Sequence, residues 1–328
     1  MRSPISLLVA TVLAALLATV LATLAPSTAS AQVERTAAAA AAPPPPAQDF
    51  PRMPRRCATP KEKIPSKPVV CGLNRYDGAR PTVVLWGDSH SWMFIPALKA
   101  AVEGRGVNLV AVMMGSCPPM DNQVQPTDSV PACFRSNALG IEVARKLEAR
   151  GKPYRIVLAG SWQRYVHARK VGDRSSYVGM MAQAQRQGGP RLARTLRSIG
   201  AKVDIVGQVA TVPAVRRRCA KGNVPYACQL PRAKALPEAV ATRQYVAGSF
   251  RPVLGSRRTI DVNPVFCTAK VCKGLVGSTH TWFDDLHLSA TRAATLASYF
   301  ESTVDAVDPL DAETPEEPGC TIPLLCRS

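Results

Sequence analysis

The stretch that decides the fold reads Thr82-Val83-Val84-Leu85-Trp86-Gly87-Asp88-Ser89-His90. Its first half is a β-branched apolar run, which is typical of a buried strand, and the glycine that follows marks a turn. Ile95, Leu98 and Val102 then recur at helical spacing. The stretch therefore predicts a strand, a turn and a helix, with Ser89 on the turn.

Apolar runs of the same kind alternate with helix-patterned stretches along the rest of the chain. The predicted strands are Thr82–Trp86, Asn108–Met113, Tyr154–Ala159, Val203–Val209 and Thr259–Val265. A final helix is predicted from about Ser289 to Val304. Such alternation predicts an α/β fold, a three-layer sandwich whose central parallel sheet of about five strands carries helices on both faces. In these sheets chemistry gathers beyond the carboxyl ends of the strands, where Ser89 is expected.

The two ends of the chain differ in composition from the part between them. Ile5–Ala25 is apolar and is followed by small residues up to Ala31, which is the layout of an export signal. The run is also nearly long enough to span a bilayer, so an uncleaved anchor stays open. The chain is predicted to divide into four parts: 1–31 signal peptide or anchor, 32–55 flexible Ala/Pro-rich spacer, 56–304 folded domain, 305–328 acidic and loosely ordered tail.

All ten cysteines follow the apolar N-terminal run and fall into five close pairs. They are Cys57, Cys71, Cys117, Cys133, Cys219, Cys228, Cys267, Cys272, Cys320 and Cys326. An even count behind an export signal indicates disulfides in an oxidising compartment, and sequential pairing is the simplest connectivity. The rival interpretation, a zinc site, is disfavoured because no Cys-x-x-Cys occurs and the chain has four histidines.

The formal net charge of the 328 residues is +18. This charge is compatible with an ordinary basic surface, and it also favours attraction to an anionic polymer. The export signal makes a cell-envelope polysaccharide a better partner than nucleic acid. No metal and no cofactor is expected, because the sequence has neither a glycine-rich phosphate loop nor a His/Asp cluster with ligand spacing.

A second short motif, Asp284-Asp285-Leu286-His287, lies near the end of the predicted domain. A serine is a weak nucleophile unless a base takes its proton and a third group orients that base. Asp284 and His287 have the side chains for those two tasks if the fold brings them to Ser89. Asp284 and Asp285 are also suited to the start of a helix, as Ser89 is to capping one.

Three stretches together resemble the SGNH (GDSL-like) hydrolases, in particular the extracytoplasmic SGNH domain often fused to membrane acyltransferases of surface polysaccharides. The stretches are Val83–His90, Gly115-Ser116-Cys117-Pro118-Pro119 and Phe283-Asp284-Asp285-Leu286-His287-Leu288-Ser289. The resemblance runs from about Pro81 to Val304 and implies the flavodoxin-like α/β fold of that superfamily.

The resemblance also implies roles for individual residues. Ser89 matches the family nucleophile, His287 the base and Asp284 the acid that orients the base, with Asp285 as the competitor for the acid role. The backbone N–H groups of Ser89 and Gly115 match two donors of the oxyanion hole, although Gly115 is equally suited to an ordinary loop.

The third donor of the family is usually an asparagine, and this chain has none at the corresponding block, Ala159-Gly160-Ser161-Trp162. The hydroxyl of Ser161 or the backbone of Gly160 is a possible substitute. His90, Ser161, Trp162 and His280 are predicted residues of the substrate pocket, and a core position is the alternative for Trp162. His90 adjoins Ser89 and so points elsewhere, which makes it a poor base for that serine.

The function predicted from these observations is an exported bacterial serine esterase or O-acyltransferase of the acetyl-ester class. It would act on cell-envelope polysaccharide through an acyl-serine intermediate. The alternative is a non-catalytic glycan-binding module that keeps the fold. The predicted location is secreted or extracytoplasmic, with membrane attachment only through an uncleaved N-terminal segment.

Overall fold

The central strand of the sheet, Thr82–Gly87, is buried along its whole length. A strand covered on both faces reads as a continuous apolar run, which is the pattern seen in this part of the sequence. The computed structural model describes residues 46–58, 63–122, 131–166, 177–211, 229–254 and 259–308.

The described sheet has five strands in the order β1-β3-β2-β4-β5. Their bounds are β1 Val69–Gly72, β2 Thr82–Gly87, β3 Asn108–Met113, β4 Tyr154–Ala159 and β5 Val203–Ile205. β2 to β5 are mutually parallel, and β1 joins the edge antiparallel to β3. Outside this sheet lie two short antiparallel pairs. They are β6 Gln229–Pro231 with β7 Val271–Lys273, and β8 Leu275–Val276 with β9 Thr279–His280.

Helices cover both faces of the sheet. The described α-helices are α1 Ser89–Trp92, α2 Ile95–Ala101, α3 Ala132–Ala149, α4 Trp162–Val166, α5 Tyr177–Ile199, α6 Arg232–Ala235, α7 Ala239–Leu254, α8 Ala290–Ala294 and α9 Glu301–Asp305. Short 3-10 turns occur at Pro46–Gln48, Asn263–Val265 and Ala297–Tyr299. None of the helices in the described ranges combines the length and hydrophobicity of a membrane span.

Alternate side chains of β2 build the two halves of the core. Leu85 belongs to the cluster that contains Leu98 of α2, whereas Val84 belongs to the cluster that contains Leu147 of α3. Both faces of the sheet are therefore dry, and the predicted three-layer α/β class is confirmed.

The bounds of β3 and β4 match the prediction, but the fifth strand does not. Thr259–Val265 makes a single bridge from Ile260 to Val206 and then turns into a 3-10 helix, so the predicted strand is wrong. The Asp261 carboxylate accepts from the backbone and side-chain amides of Asn263, and Pro264 offers no N–H to a ladder. These local bonds turn the chain away from the sheet. The fifth strand of the sheet is instead β1, an edge strand next to β3 that was not predicted from the sequence.

Two other predicted elements are shorter than expected. β5 ends at Ile205 rather than at residue 209. The predicted helix 289–304 is divided into α8, a 3-10 turn and α9. The hydroxyl of Thr295 donates to the carbonyl of Arg292 at 2.8 Å, a local bond of the kind that competes with a regular helix.

Within the described residues three disulfides join sequential cysteines, as the simplest connectivity predicts. They are Cys57–Cys71, Cys117–Cys133 and Cys267–Cys272. Cys219, Cys228, Cys320 and Cys326 lie outside the described residues, as do the apolar N-terminal run and nearly all of the predicted tail.

The folded part reaches beyond the predicted 56–304 at both ends. Asp49, assigned from the sequence to a flexible spacer, is buried and accepts the N–H groups of Ala290 and Thr291 at the start of α8. Phe50 also packs on the domain, against Trp92. Near the other end, Arg105 forms ion pairs with both Asp305 and Asp308. The prediction of a flexible spacer is therefore wrong for Asp49 and Phe50, which dock on the domain.

Candidate active site

Ser89 lies at the carboxyl end of the central strand, on the turn that the sequence predicted. Asp88 is the N-cap of α1, and its carboxylate accepts the N–H of His90 at 2.7 Å. Among the described residues the backbone N–H of Ser89 has no acceptor, so it remains available to a ligand. The strand order reverses beside β2, and this is the place where open α/β sheets bind ligands.

Gly87 makes the tight turn before Ser89 possible. A Cβ at this position would lie 1.8 Å from the carbonyl oxygen of Ala159 on the neighbouring strand. No side chain fits there, and its φ of 153° is also rarely adopted by other residues. The glycine thus allows the ends of β2 and β4 to approach closely, which brings Ser89 near the block around Ser161.

The structure brings the serine, the histidine and the aspartate into one hydrogen-bonded line. Ser89 Oγ lies 2.8 Å from Nε2 of His287, and Nδ1 of the same ring lies 2.7 Å from Oδ2 of Asp284. The other carboxylate oxygen, Oδ1, accepts the backbone N–H groups of Leu286 and His287, each at 2.8 Å. The carboxylate is therefore fixed by its own turn and orients the imidazole toward the hydroxyl.

Asp284 stays ionised in this arrangement. Burial by itself would raise the pKa of its carboxyl group. The hydrogen bond from the His287 ring, the charge of that ring and the two backbone N–H bonds outweigh burial, and the pKa lies below its ordinary value. A negative charge is thus held next to the imidazole, where it would stabilise a proton on the ring.

Aromatic side chains surround the imidazole of His287. Phe283 stacks on it with ring centroids 5.8 Å apart, and Trp92 meets it edge-on at 5.9 Å. Phe50 packs in turn against both Trp92 and Phe283. These three residues were not predicted from the sequence as parts of the site. A signal existed for two of them, because Trp92 is one helical turn after Ser89 and Phe283 directly precedes Asp284.

His90 is buried beneath the site rather than exposed in a pocket. Only 1% of its surface is accessible, and its ring meets that of His287 at 5.5 Å. Neither ring nitrogen has a partner among the described residues. Burial and then the neighbouring His287 hold its pKa well below the usual range, so the ring is neutral. This position does not fit the predicted contact with substrate.

Asp88 stabilises the turn. Unlike Asp284, it makes no hydrogen bond to His287 among the described residues. It is 1% exposed, and besides His90 it accepts the N–H of Ser161 at 3.0 Å and the hydroxyl of Tyr165. Burial raises the pKa of this carboxyl group, and the three hydrogen bonds partly oppose that effect. The side chain therefore ties the ends of β2 and β4 together, in agreement with a turn residue.

The other predicted pocket residues separate into different environments. Ser161 is nearly buried and lines a cleft, whereas Trp162 is fully buried, donates to the carbonyl of Val206 and packs on Phe250. Trp162 is thus a core residue, and its prediction as a pocket wall is wrong. His280 lies on β9, partly exposed, and is not among the residues that line this cleft.

The cleft beside the site has a volume of about 500 Å³. Its lining includes Leu286, from the same turn as His287. It also includes residues that follow the carboxyl ends of β4 and β5, namely Ser161, Gln163, Arg164 and Thr211. The hydroxyl of Ser161 makes no hydrogen bond within the described part of the chain. The cleft thus contains the hydroxyl of Ser161, the cation of Arg164 and the carboxylate of Glu238, and Leu286 joins it to the turn that carries His287.

Gly115 does not offer a free backbone donor. Its N–H donates to the carbonyl of Pro65 at 2.8 Å, so the predicted oxyanion role of this group does not agree with the structure. The residue after it, Ser116, has a positive φ of 58°, and its N–H has no acceptor among the described residues. In the same ranges no cluster of three or more metal-ligating side chains occurs.

The structure is a three-layer α/β domain in which a serine, a histidine and an aspartate are aligned at the carboxyl end of the central strand. The chain belongs to the family described as "SGNH domain (fused to AT3 domains)", whose family model matches residues 56–302. The resemblance found in the three sequence motifs is thereby confirmed.

Two solved structures are similar to the chain at low sequence identity. The periplasmic domain of the Salmonella ser. Paratyphi A lipopolysaccharide acetyltransferase is 16% identical, with 70% of this chain and 85% of that chain covered and a TM-score of 0.48. A carbohydrate acetylesterase family member from Sinorhizobium meliloti is 14% identical, with 70% and 98% covered and a TM-score of 0.34. A search of the curated proteins finds no significant match.

Proposed function

We propose that this protein is an exported serine esterase or O-acyltransferase that acts on acetyl esters of cell-envelope polysaccharide. The observation that carries the proposal is the line from Ser89 Oγ through the His287 ring to the Asp284 carboxylate, with distances of 2.8 and 2.7 Å. Nucleophile, base and orienting acid are the three groups that acyl transfer to a serine needs.

In the proposed reaction Ser89 Oγ attacks the ester carbonyl carbon while Nε2 of His287 takes the hydroxyl proton. The tetrahedral adduct collapses, the C–O bond to the leaving alcohol breaks, and the imidazolium returns its proton to that alcohol. Asp284 stabilises the imidazolium while it exists. The hydroxyl of an acceptor, deprotonated by His287, then attacks the acyl carbon. The bond from that carbon to Ser89 Oγ breaks, and the imidazolium returns the proton to Oγ.

The oxyanion of the adduct needs donors that are fixed before the reaction. The unengaged backbone N–H of Ser89 is the first of these in the proposal. The hydroxyl of Ser161 is the second, because Asp88 holds its backbone against the turn of Ser89. This hydroxyl takes the place that an asparagine has in many relatives.

The acceptor of the acyl group separates the two activities. Water yields a free acid, and the protein is then an esterase, whereas a sugar hydroxyl yields a new ester. Both acceptors use the same side chains. The glycan as substrate is supported by the family of the chain and by its positive charge. The three disulfides support an oxidising, extracytoplasmic location.

The test compares the full chain with Ser89→Ala on p-nitrophenyl acetate. The wild type should release p-nitrophenol and the variant should not, and a fluorophosphonate should label Ser89 alone. Equal inertness of both proteins toward this ester and toward acetylated glycan would favour the alternative, a glycan-binding module without catalysis.

A further inference from the structure

A group of exposed cations lies next to the aromatic wall of the proposed active site. We call the described residues 52–58 and 63–67 the basic segment. Its exposed cations are Arg52, Arg55, Arg56, Lys63 and Lys67, and it contains no acidic residue. Residues 59–62, between the two parts, lie outside the described residues. The segment therefore presents a dense positive charge to solvent.

The basic segment surrounds a cleft of its own. This cleft has a volume of about 610 Å³. Three of the residues that line it are the cations Arg55, Arg56 and Lys67, and the others are neutral. The guanidinium of Arg56 is fixed because it donates to the carbonyl of Gly72 on β1. Arg55 and Lys67 form no ion pair within the described part of the chain, so both charges face an open cavity. The Cys57–Cys71 disulfide holds the segment to the edge strand.

Two contacts bring the basic segment to the catalytic line. The carbonyl of Pro65, which lines the cleft, accepts the N–H of Gly115 at the end of β3. The ammonium of Lys63 lies 5.5 Å from the centroid of the Phe283 ring, and that ring stacks on His287. Lys63 of the segment is therefore separated from the proposed base by one aromatic ring.

We propose that the basic segment binds the anionic groups of a polysaccharide and so presents its O-acyl groups to Ser89. This inference rests on the proposed function and names both the substrate class and the residues that select it. A concave surface with unpaired cations attracts a polymer of regularly spaced negative charges, and the attraction falls as salt screens it.

The chemistry of the segment favours a carbohydrate over a nucleic acid. Proteins that bind single-stranded nucleic acid stack its bases on aromatic side chains. The cations of the segment lie over two described aromatic rings, and both rings are occupied. Phe50 is covered by the guanidinium of Arg52 at 4.5 Å and the ammonium of Lys63 at 4.8 Å, and Phe283 lies between Lys63 and the His287 ring. The segment thus offers cations without a stacking surface.

The experiment measures binding of polygalacturonate to the full chain carrying Ser89→Ala, by calorimetry at low and at moderate salt. Introducing Arg55→Gln together with Lys67→Gln should weaken binding by about tenfold at low salt, since each exposed ion pair contributes modestly. Dextran of the same length, which is neutral, should not bind.

A matched pair of substitutions removes the same charges elsewhere. Arg145→Gln with Lys152→Gln changes one arginine and one lysine that are exposed near the amino end of β4, away from Ser89. This variant should bind polygalacturonate as the parent does. Circular dichroism of both double variants verifies that they are folded.

The outcomes separate the inference from the proposed function. Turnover of p-nitrophenyl acetate by an otherwise wild-type chain should not change with Arg55→Gln and Lys67→Gln, because a small neutral ester does not reach the basic cleft. Intact turnover with equal polygalacturonate affinity in both double variants overturns the inference alone. If single-stranded DNA binds as tightly as polygalacturonate does, and its binding depends on Arg55 and Lys67 in the same way, the assignment to a glycan is overturned. If the wild type turns over none of the esters, the proposed function is overturned instead.

Discussion

The replacement of Asp284 by asparagine tests the geometry of the site most directly. In the structure Oδ1 accepts two backbone N–H groups and lies 2.9 Å from the ring Nδ1, whereas Oδ2 lies 2.7 Å from that nitrogen. An asparagine that keeps its carbonyl oxygen at the Oδ1 place preserves the turn and replaces the shorter contact by an NH₂ group, which is a donor. This donor favours the tautomer with the ring proton on Nε2, where the ring cannot accept one from Ser89.

The magnitude follows from the lost charge. The side chain of Asp284 is 33% accessible, so an effective dielectric constant near that of a protein surface is appropriate. Two unit charges about 4 Å apart then interact by about 4 kcal/mol. Because each ~1.4 kcal/mol corresponds to a factor of ten in rate, kcat should fall by about a thousandfold.

The assay is steady-state hydrolysis of p-nitrophenyl acetate by the full chain in mildly alkaline buffer. KM should stay within about twofold, since the carboxylate acts on the imidazolium of the transition state rather than on bound substrate. Asp285→Asn is the control, because it removes the same charge one residue later and should leave kcat near the wild-type value. An Asp284→Asn protein that keeps more than about a tenth of wild-type kcat would refute the reasoning.

Three further outcomes are expected. The pKa of Asp284 is lower in the folded than in the unfolded chain, so its contribution to stability is present at neutral pH and is lost as pH falls through the pKa of the folded state. In urea titrations the difference in unfolding free energy between wild type and Asp284→Asn should therefore vanish in acid. Ser161→Ala should lower kcat by about a hundredfold, the usual loss for one oxyanion donor, and unchanged kcat would exclude that role. Gly87→Ala should cost about 3 kcal/mol of unfolding free energy or more, since its Cβ would overlap the carbonyl oxygen of Ala159. Gly248→Ala, in a helix with open space around it, should instead stabilise by about 0.5–1 kcal/mol, and similar values for both would contradict the packing argument.

The interior of the sheet was predictable because burial on both faces leaves a clear signature. The bounds of β3 and β4 agree with the apolar runs, and β2 is one residue longer than predicted. The edge was not predictable in this way. β1 is four residues long and half covered, so its sequence shows no comparable run. Thr259–Val265 has the composition of a strand, yet the local bonds of Asn263 to Asp261 and its distant bonds with Gln208 and Ala210 override it.

The line from Ser89 through His287 to Asp284 illustrates the same division. Local sequence placed Ser89 on a strand-to-helix turn, and the Asp-x-x-His spacing placed Asp284 next to His287, because both depend on neighbours along the chain. Their meeting depends on contacts between distant residues. Gly115 is instructive, since its motif suggested a free N–H and only the fold revealed that Pro65 occupies it.

By itself the sequence determined the fold class, the family and the residue types of the site, since periodicity and short motifs are properties of neighbouring residues. Only the tertiary structure decided that Asp49 and Phe50 dock on the domain, that Trp92 and Phe283 pack against the imidazole, and that Arg55, Arg56 and Lys67 line one cleft. Such contacts join residues far apart in the chain, and their energy comes from burial and complementary charge that no local pattern records.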